Sequence, residues 1–297
     1  MSIQIGQTVS VTRTFDQSDF DRFAALSGDD NPIHVDAGFA ARTRFGRTVA
    51  HGMFLYSVVS SVLSTRLPGP GTMPVEQELM FPTATPGGEE VEVRVEVTEM
   101  RPDEGLVELV TLVVRPDGNL GLQGRTVVRL PAPVALLGTY SPIPNPPISQ
   151  SPTPAPSFKG LAVGQRAETR RTFTAADLAE YANLTHDHNP LYVKPKYAQQ
   201  VGLDGAVVPG GLLGGLFSYL LGTELPGRGT NYLKQRLYFP VAAYAGRELV
   251  AAVEIIRIRP EKQLVNLSTA CLDEADNVVC LGEALVLVQD VKEKEGG

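Results

Sequence analysis

The stretch Ser27-Gly28-Asp29-Asp30-Asn31-Pro32-Ile33-His34 decides how the chain is read, because its centre returns once. Asp29-x-Asn31-Pro32 reappears as Asp187-x-Asn189-Pro190, an offset of 187 − 29 = 158. The same ungapped shift carries Gly6-Gln7 onto Gly164-Gln165 and Arg13-Thr14-Phe15 onto Arg171-Thr172-Phe173. It also carries Gly52 onto Gly210, Leu67-Pro68-Gly69 onto Leu225-Pro226-Gly227, and Phe81-Pro82 onto Phe239-Pro240. One shift that aligns all of these marks two copies of one folding unit. A chain of 297 residues holds two domains of ordinary size, each able to bury a core. We expect an N-terminal domain over 1–130 and a C-terminal domain over 161–290. Between them, 131–160 is rich in proline and serine, which favours an extended linker and excludes a sheet interior. The charged tail 291–297 is expected to fray.

Each copy has the same order of elements. An extended start leads into a short helix, with Asp16 or Thr174 as the N-cap and Asp19 or Asp177 three residues on. Phe20, Phe23, Ala24 and Leu26 form an apolar stripe at helical spacing, as do Leu178, Tyr181, Ala182 and Leu184. A second, nearly uncharged helix is predicted over 52–66 and again over 211–222, which requires burial on most faces. Strand patterning follows over 75–81, 90–99, 106–115 and 120–130, and over 232–239, 248–257, 264–273 and 278–288. Val91, Val93, Val95 and Val97 alternate with charged residues, the period of a sheet with one wet face. Pro116-Asp117-Gly118-Asn119 is a turn between two strands. The fold class is α+β, an antiparallel sheet wrapped around a long helix, and two such units can pair their sheet edges.

Bulk properties narrow the function. With 43% hydrophobic residues, 20% charged and a net charge of −7, the chain is ordinary and lacks the basic stripe of a nucleic-acid binder. Its two cysteines, Cys271 and Cys280, flank a polar turn and are expected to be reduced thiols on the arms of a hairpin. The start Met1-Ser2-Ile3-Gln4 carries no signal pattern. The most apolar run, 206–222, is broken by Pro209 and several glycines and falls short of the roughly 20 residues that span a bilayer. No membrane partner is expected, and the cytoplasm is the default compartment.

Asp29 and His34 stand five residues apart across a turn stiffened by Pro32, which also restricts Asn31. Such a turn can aim a carboxylate and an imidazole at one water molecule, which suits general acid–base chemistry. The same spacing also fits a capping Asp29 and a core histidine. Gly52 opens the apolar helix, so its N–H is a first-turn donor at the positive end of the dipole. A donor there, with no side chain to block an oxygen, meets the needs of an oxyanion hole. A close-packing glycine meets the same pattern. The four histidines and two cysteines show no zinc spacing, and no metal site is expected.

The run from Ser27 to His34, the following Phe39-Ala40, and Ala50-His51-Gly52 resemble the signature of the MaoC-like, (R)-specific enoyl-CoA hydratases. The resemblance covers both copies and implies a tandem (double) hot-dog fold and reversible hydration of trans-2-enoyl thioesters to (3R)-3-hydroxyacyl thioesters. It implies that Asp29 and His34 hold and activate the water, that Asn31 shapes the turn or orients the pair, and that Gly52 binds the thioester oxygen. Ser60, eight residues along the same helix, matches a family serine near the site. No cofactor is implied beyond the coenzyme A of the substrate. The partner is an acyl-CoA or an acyl-carrier-protein thioester, and the assembly is a monomeric pseudo-dimer or a homodimer.

The second copy departs from the pattern. His34 is replaced by Tyr192 and His51 by Pro209, and a tyrosine, with pKa about 10, is a poor base near neutral pH. We expect one working site per chain, in the first copy, with the second supplying part of the acyl pocket. His186 and His188 are expected to point outward. Arg42, Arg44 and Arg47 are read as a solvated loop face, with contact to coenzyme A phosphates as the alternative. Two other functions compete: a 3-hydroxyacyl dehydratase acting on carrier-protein thioesters, and a non-catalytic acyl-thioester binder.

Overall fold

A computed structural model describes residues 3–131 and 158–291. Most of the expected linker and the tail beyond 291 lie outside the described residues.

The first copy runs through β1 (Thr8–Thr14), α1 (Gln17–Ser27), two single-turn helices α2 (Pro32–Val35) and α3 (Ala37–Ala40), and the long α4 (Gly52–Thr65). It closes with β2 (Met73–Met80), β3 (Glu90–Arg101), β4 (Leu106–Val114) and β5 (Leu120–Arg129). The second copy repeats this as β6 (Arg166–Thr172), α5 (Ala175–Thr185), α6 (Pro190–Val193), α7 (Pro195–Gln200) and α8 (Gly210–Tyr219). It ends with β7 (Asn231–Tyr238), β8 (Glu248–Arg259), β9 (Leu264–Asp273) and β10 (Val278–Leu287). Asp16 and Thr174 each bond reciprocally with the carboxylate three residues on, so both predicted caps are capping boxes.

The second long helix differs from its predicted form. It begins one residue earlier, and its α-helical part stops at Tyr219 and passes into a π turn, Leu220–Glu224. The Leu225 N–H donates to the Leu220 carbonyl, 2.8 Å away and five residues back.

The ten strands of the described residues form one antiparallel sheet in the order β1-β3-β4-β5-β2-β7-β10-β9-β8-β6. The copies join where β2 pairs with β7, with Glu78 opposite Arg236. These residues correspond under the 158-residue shift, so the pseudo-twofold axis passes between them. The Arg236 guanidinium reaches Glu78 Oε1 at 2.9 Å. A second axial pair, Arg22 on α1 and Glu180 on α5, also corresponds under the shift and meets at 2.6 Å. Cys271 and Cys280 face each other across β9 and β10, both buried and free, and burial pushes the Cys271 thiol up to about 12. Among the described residues, no helix is long and apolar enough to cross a membrane.

The inner face of β3 (Val91, Val93, Val95 and Val97) is fully buried and belongs to one apolar core shared by both copies. Phe15, Phe20 and Phe23 close on Phe54 of α4 with ring centroids 5.1, 6.3 and 5.4 Å apart. At the axis α4 packs directly on α8, with Gly210, Gly211 and Gly214 facing α4 and Gly215 facing α1. A Cβ on Gly214 would lie 2.5 Å from Met53 Sδ, and one on Gly215 would lie 2.9 Å from Ser27 Cβ. A Cβ on Gly211 would overlap Ser57 Oγ and fall 2.7 Å from Tyr181 Oη. Overpacking of this kind costs about 1–3 kcal/mol or more. Gly211→Leu is therefore expected to lower the melting temperature by several degrees. Gly205→Ala, where a Cβ meets nothing within 4 Å, should leave it within a degree.

Candidate active site

The turn after α1 builds the site. Asn31 caps α2 through its side-chain oxygen, which accepts from the Ile33 N–H at 3.4 Å, with Pro32 at the first helical position. The Asn31 N–H donates to Asp29 Oδ1 at 3.3 Å, and the Asp29 N–H donates to Ser27 Oγ at 3.2 Å. Asp29, Asn31 and His34 are all buried.

His34 Nδ1 lies 2.7 Å from the Val49 carbonyl oxygen. A carbonyl only accepts, so Nδ1 carries the proton and Nε2 is left with its lone pair. Burial lowers the His34 pKa below 6.5, and the Asp29 carboxylate opposes that only in part. The ring is thus held as a neutral base. His51 stacks on it, with centroids 3.8 Å apart and planes 27° from parallel. His51 Nε2–H donates to the backbone oxygen of Asp29 at 2.9 Å, which pins the start of the turn. Burial, and then the neighbouring His34, hold the His51 pKa well below 6.5, and its buried Nδ1 has no partner. Asp29, His34 and His51 each bring one donor atom within 4.8 Å of the others. The fold thus gathers three groups with metal-ligand chemistry that the sequence spacing does not group. One nitrogen of each ring is already committed to a carbonyl.

Gly52 is the first residue of α4, and its N-cap, His51, supplies no side-chain bond. The Phe54 N–H already donates to the His51 carbonyl at 3.1 Å, whereas the N–H groups of Gly52 and Met53 precede the first intrahelical bond and lack intrahelical acceptors. A Cβ at Gly52 would come 2.8 Å from the Phe81 ring, so the absent side chain makes room for that ring.

Ser60 does not join this group. It donates to Asp187 Oδ2 at 2.8 Å, in the other half of the molecule. Its counterpart under the shift, Ser218 on α8, donates to Asp29 Oδ2 at 2.6 Å. Where α4 and α8 cross, each helix delivers its serine to the carboxylate of the other copy. The serine repeated at 60 + 158 = 218 was the available signal.

At the second half-site Asp187 is locked. Ser60 and Ser64 donate to its two oxygens, and Asn189 Nδ2 donates to the Thr72 carbonyl at 2.8 Å. Burial raises the Asp187 pKa to about 6 although both serine bonds oppose the shift. At the first half-site the place of Ser64 is taken by Gly222 of the second copy, where a Cβ would stand 3.1 Å from Asp29 Oδ1. Asp29 therefore has one serine where Asp187 has two. His186 and His188 are exposed.

A cavity of about 420 Å³ opens onto Asp29, His34 and Gly52. The second copy lines it as well, with Ser218, Gly222 and Tyr232 among others. Of the three loop arginines, Arg44 lines the cavity, with its guanidinium 4.9 Å from the Phe45 ring centroid. Arg47 is paired with Glu89.

The family model for the MaoC-like domain matches twice, over residues 2–115 and 160–274. An (R)-specific enoyl-CoA hydratase of Aeromonas caviae is 40% identical over 130 residues, 44% of this chain and 97% of that protein. A 3-hydroxybutyryl-CoA dehydratase of Methylorubrum extorquens is 39% identical over 129 residues, 43% of this chain and 82% of that protein. A conserved hypothetical protein of Mycobacterium tuberculosis with a double hotdog fold superposes with a TM-score of 0.70 at 17% identity, covering 96% of each chain. The α+β sheet and helices described above are this double hot-dog fold.

Burial of Asp187 sets a pH dependence of stability. Its folded pKa, about 6, lies above the ordinary 3.8, so the folded state binds the proton more tightly. The associated stability is full below about pH 4 and lost as pH rises through 6, about 3 kcal/mol in all. Asp187→Asn should remove that difference between urea unfolding curves at pH 4 and pH 8. An unchanged pH difference would contradict a buried, titrating Asp187.

Proposed function

Because the chain belongs to the MaoC-like domain family, we propose that it is a hydro-lyase that reversibly adds water to trans-2-enoyl thioesters, giving (3R)-3-hydroxyacyl thioesters. The observation that carries this reading is the convergence of a carboxylate and a neutral imidazole within 4.8 Å of each other, on a cavity that also meets an open helix N-terminus. One water molecule bridges a gap of that size. The two curated relatives that align over one copy's length, named for enoyl-CoA hydration and for the dehydration of a 3-hydroxyacyl-CoA, support the substrate class and the R product.

In this reading the water sits between Asp29 and His34 Nε2. One of the pair takes a proton as the water oxygen bonds to C3. The C2=C3 electron pair shifts toward the carbonyl, and negative charge grows on the thioester oxygen. The Gly52 N–H, at the positive end of α4, meets that charge. The pair then returns a proton to C2, completing the addition of H and OH across the double bond. Dehydration retraces the same steps. Ser218 holds Asp29 Oδ2, and Oδ1, which accepts the Asn31 N–H, keeps a second lone pair for the water. His51 positions both partners, as a stacking surface for His34 and a donor to the Asp29 backbone.

With crotonyl-CoA and the absorbance of the conjugated thioester as the readout, Asp29→Asn and His34→Gln should each lose about 100-fold or more in kcat. Ser218→Ala should lose about 10-fold, the worth of one hydrogen bond to a charged group, whereas Ser60→Ala should stay within about two-fold. Free thiol released without hydration would overturn the reading in favour of a thioesterase. The depressed His34 pKa adds an expectation for pH. The acid limb of kcat/KM should lie below pH 6.5, and a limb at or above that value would exclude His34 as the base.

A further inference from the structure

A second cavity, of about 410 Å³, lies across the pseudo-twofold axis. No residue lines both cavities. Under the 158-residue shift its wall follows that of the first almost position by position. Val207 and Val208 stand for Val49 and Ala50, Gly210 for Gly52, Leu213 for Leu55, and Phe239 for Phe81. What differs is the reacting part. Tyr192 lines the wall where His34 stands in the first cavity, and Asp187, tied to Ser60 and Ser64, does not reach it.

The parts that would bind a ligand remain. Gly210 opens α8, a ten-residue helix, behind an N-cap, Pro209, that supplies no side-chain bond. Its N–H therefore points out with no intrahelical acceptor, as at Gly52. The walls are apolar, with Met73, Val75, Val207 and Leu213 among them, and Arg129 is the one charged residue lining them among the described residues. The volume falls within the few hundred Å³ usual for small-molecule sites.

We propose that this cavity is a second, non-reacting acyl site. It takes an apolar acyl chain with its carbonyl oxygen toward the Gly210 N–H, and releases it unchanged. The class of ligand rests on the hydratase reading of the first cavity; the existence of a separate site rests on the cavity itself. Two sources share the chemistry, an acyl thioester and a free fatty acid.

The test uses the full chain and hexanoyl-CoA, which is saturated and cannot be hydrated, with binding stoichiometry from isothermal titration calorimetry. The wild type should bind two equivalents of unequal affinity. Ala242 lines this cavity and packs against the cluster of Leu191, Tyr192, Ala198 and Val207. Ala242→Phe should remove one equivalent and leave crotonyl-CoA hydration within about two-fold. If that variant melts early, Val241→Trp at the exposed rim gives the same reading. Hexanoate that competes for the second equivalent alone would identify the free acid as the ligand; competition by neither hexanoate nor acetate would identify the thioester. One equivalent in the wild type, unaffected by either variant, would overturn the proposal and leave the hydratase reading intact. Two equivalents with no hydration of crotonyl-CoA would overturn that reading and leave this one standing.

Discussion

The molecule depends on the near-contact of α4 and α8 at the pseudo-twofold axis. Glycines at 210, 211 and 214 bring the two helices so close that side chains of α4 occupy the space where α8 would place a Cβ. That closeness carries Ser218 to Asp29 and Ser60 to Asp187. It also lets the second copy line the first copy's cavity. A wider spacing would break both serine–aspartate bonds and leave two buried carboxylates without their hydroxyl donors, a costly state in a low-dielectric interior. The sheet sets the same geometry from outside, through the central β2–β7 pairing.

Few exchanges separate the two half-sites. Tyrosine for histidine at 192 removes the imidazole proposed as the base. Proline for histidine at 209 removes the ring that stacks on that base and holds the turn. Serine at 64, where the other copy has Gly222, adds a second donor to the buried carboxylate. The result is one aspartate lining a cavity and one sealed from it. The sealed aspartate is still buried and strained electrostatically, as its raised pKa records.

The sequence made the local features legible. The repeat, both capping boxes, the period-two valines of β3 and the Asn31-Pro32 turn are written in residues close together, where spacing maps directly onto geometry. The conjunction of Asp29 and His34 belongs to this class, because one turn holds both. What escaped were contacts between residues far apart in the chain. Ser60 lies on the right helix, yet the crossing of α4 and α8 sends it to the other copy. Ser218 and Gly222 approach Asp29 from nearly 200 residues away, and His51 acts through a stacking contact that no spacing rule encodes. Gly52 fell between the two cases. Its place at a helix start was legible, whereas the Phe81 ring against it belongs to a distant strand.

The two axial pairs, Arg22 with Glu180 and Glu78 with Arg236, bear on how such a chain can evolve. In a homodimer of single copies, a residue on the twofold axis meets itself, so only self-tolerant residues can sit there. A duplicated chain is free of that rule and has placed opposite charges where a homodimer would set arginine against arginine and glutamate against glutamate. Opposite charges across the axis favour the covalent neighbour over an identical copy by the small amount that half-exposed ion pairs contribute. Once the halves are complementary instead of identical, a change in one need not be matched in the other. Covalent linkage has turned a symmetric interface into a directional one, and that freedom lets one half specialise while its twin supplies a wall and a serine.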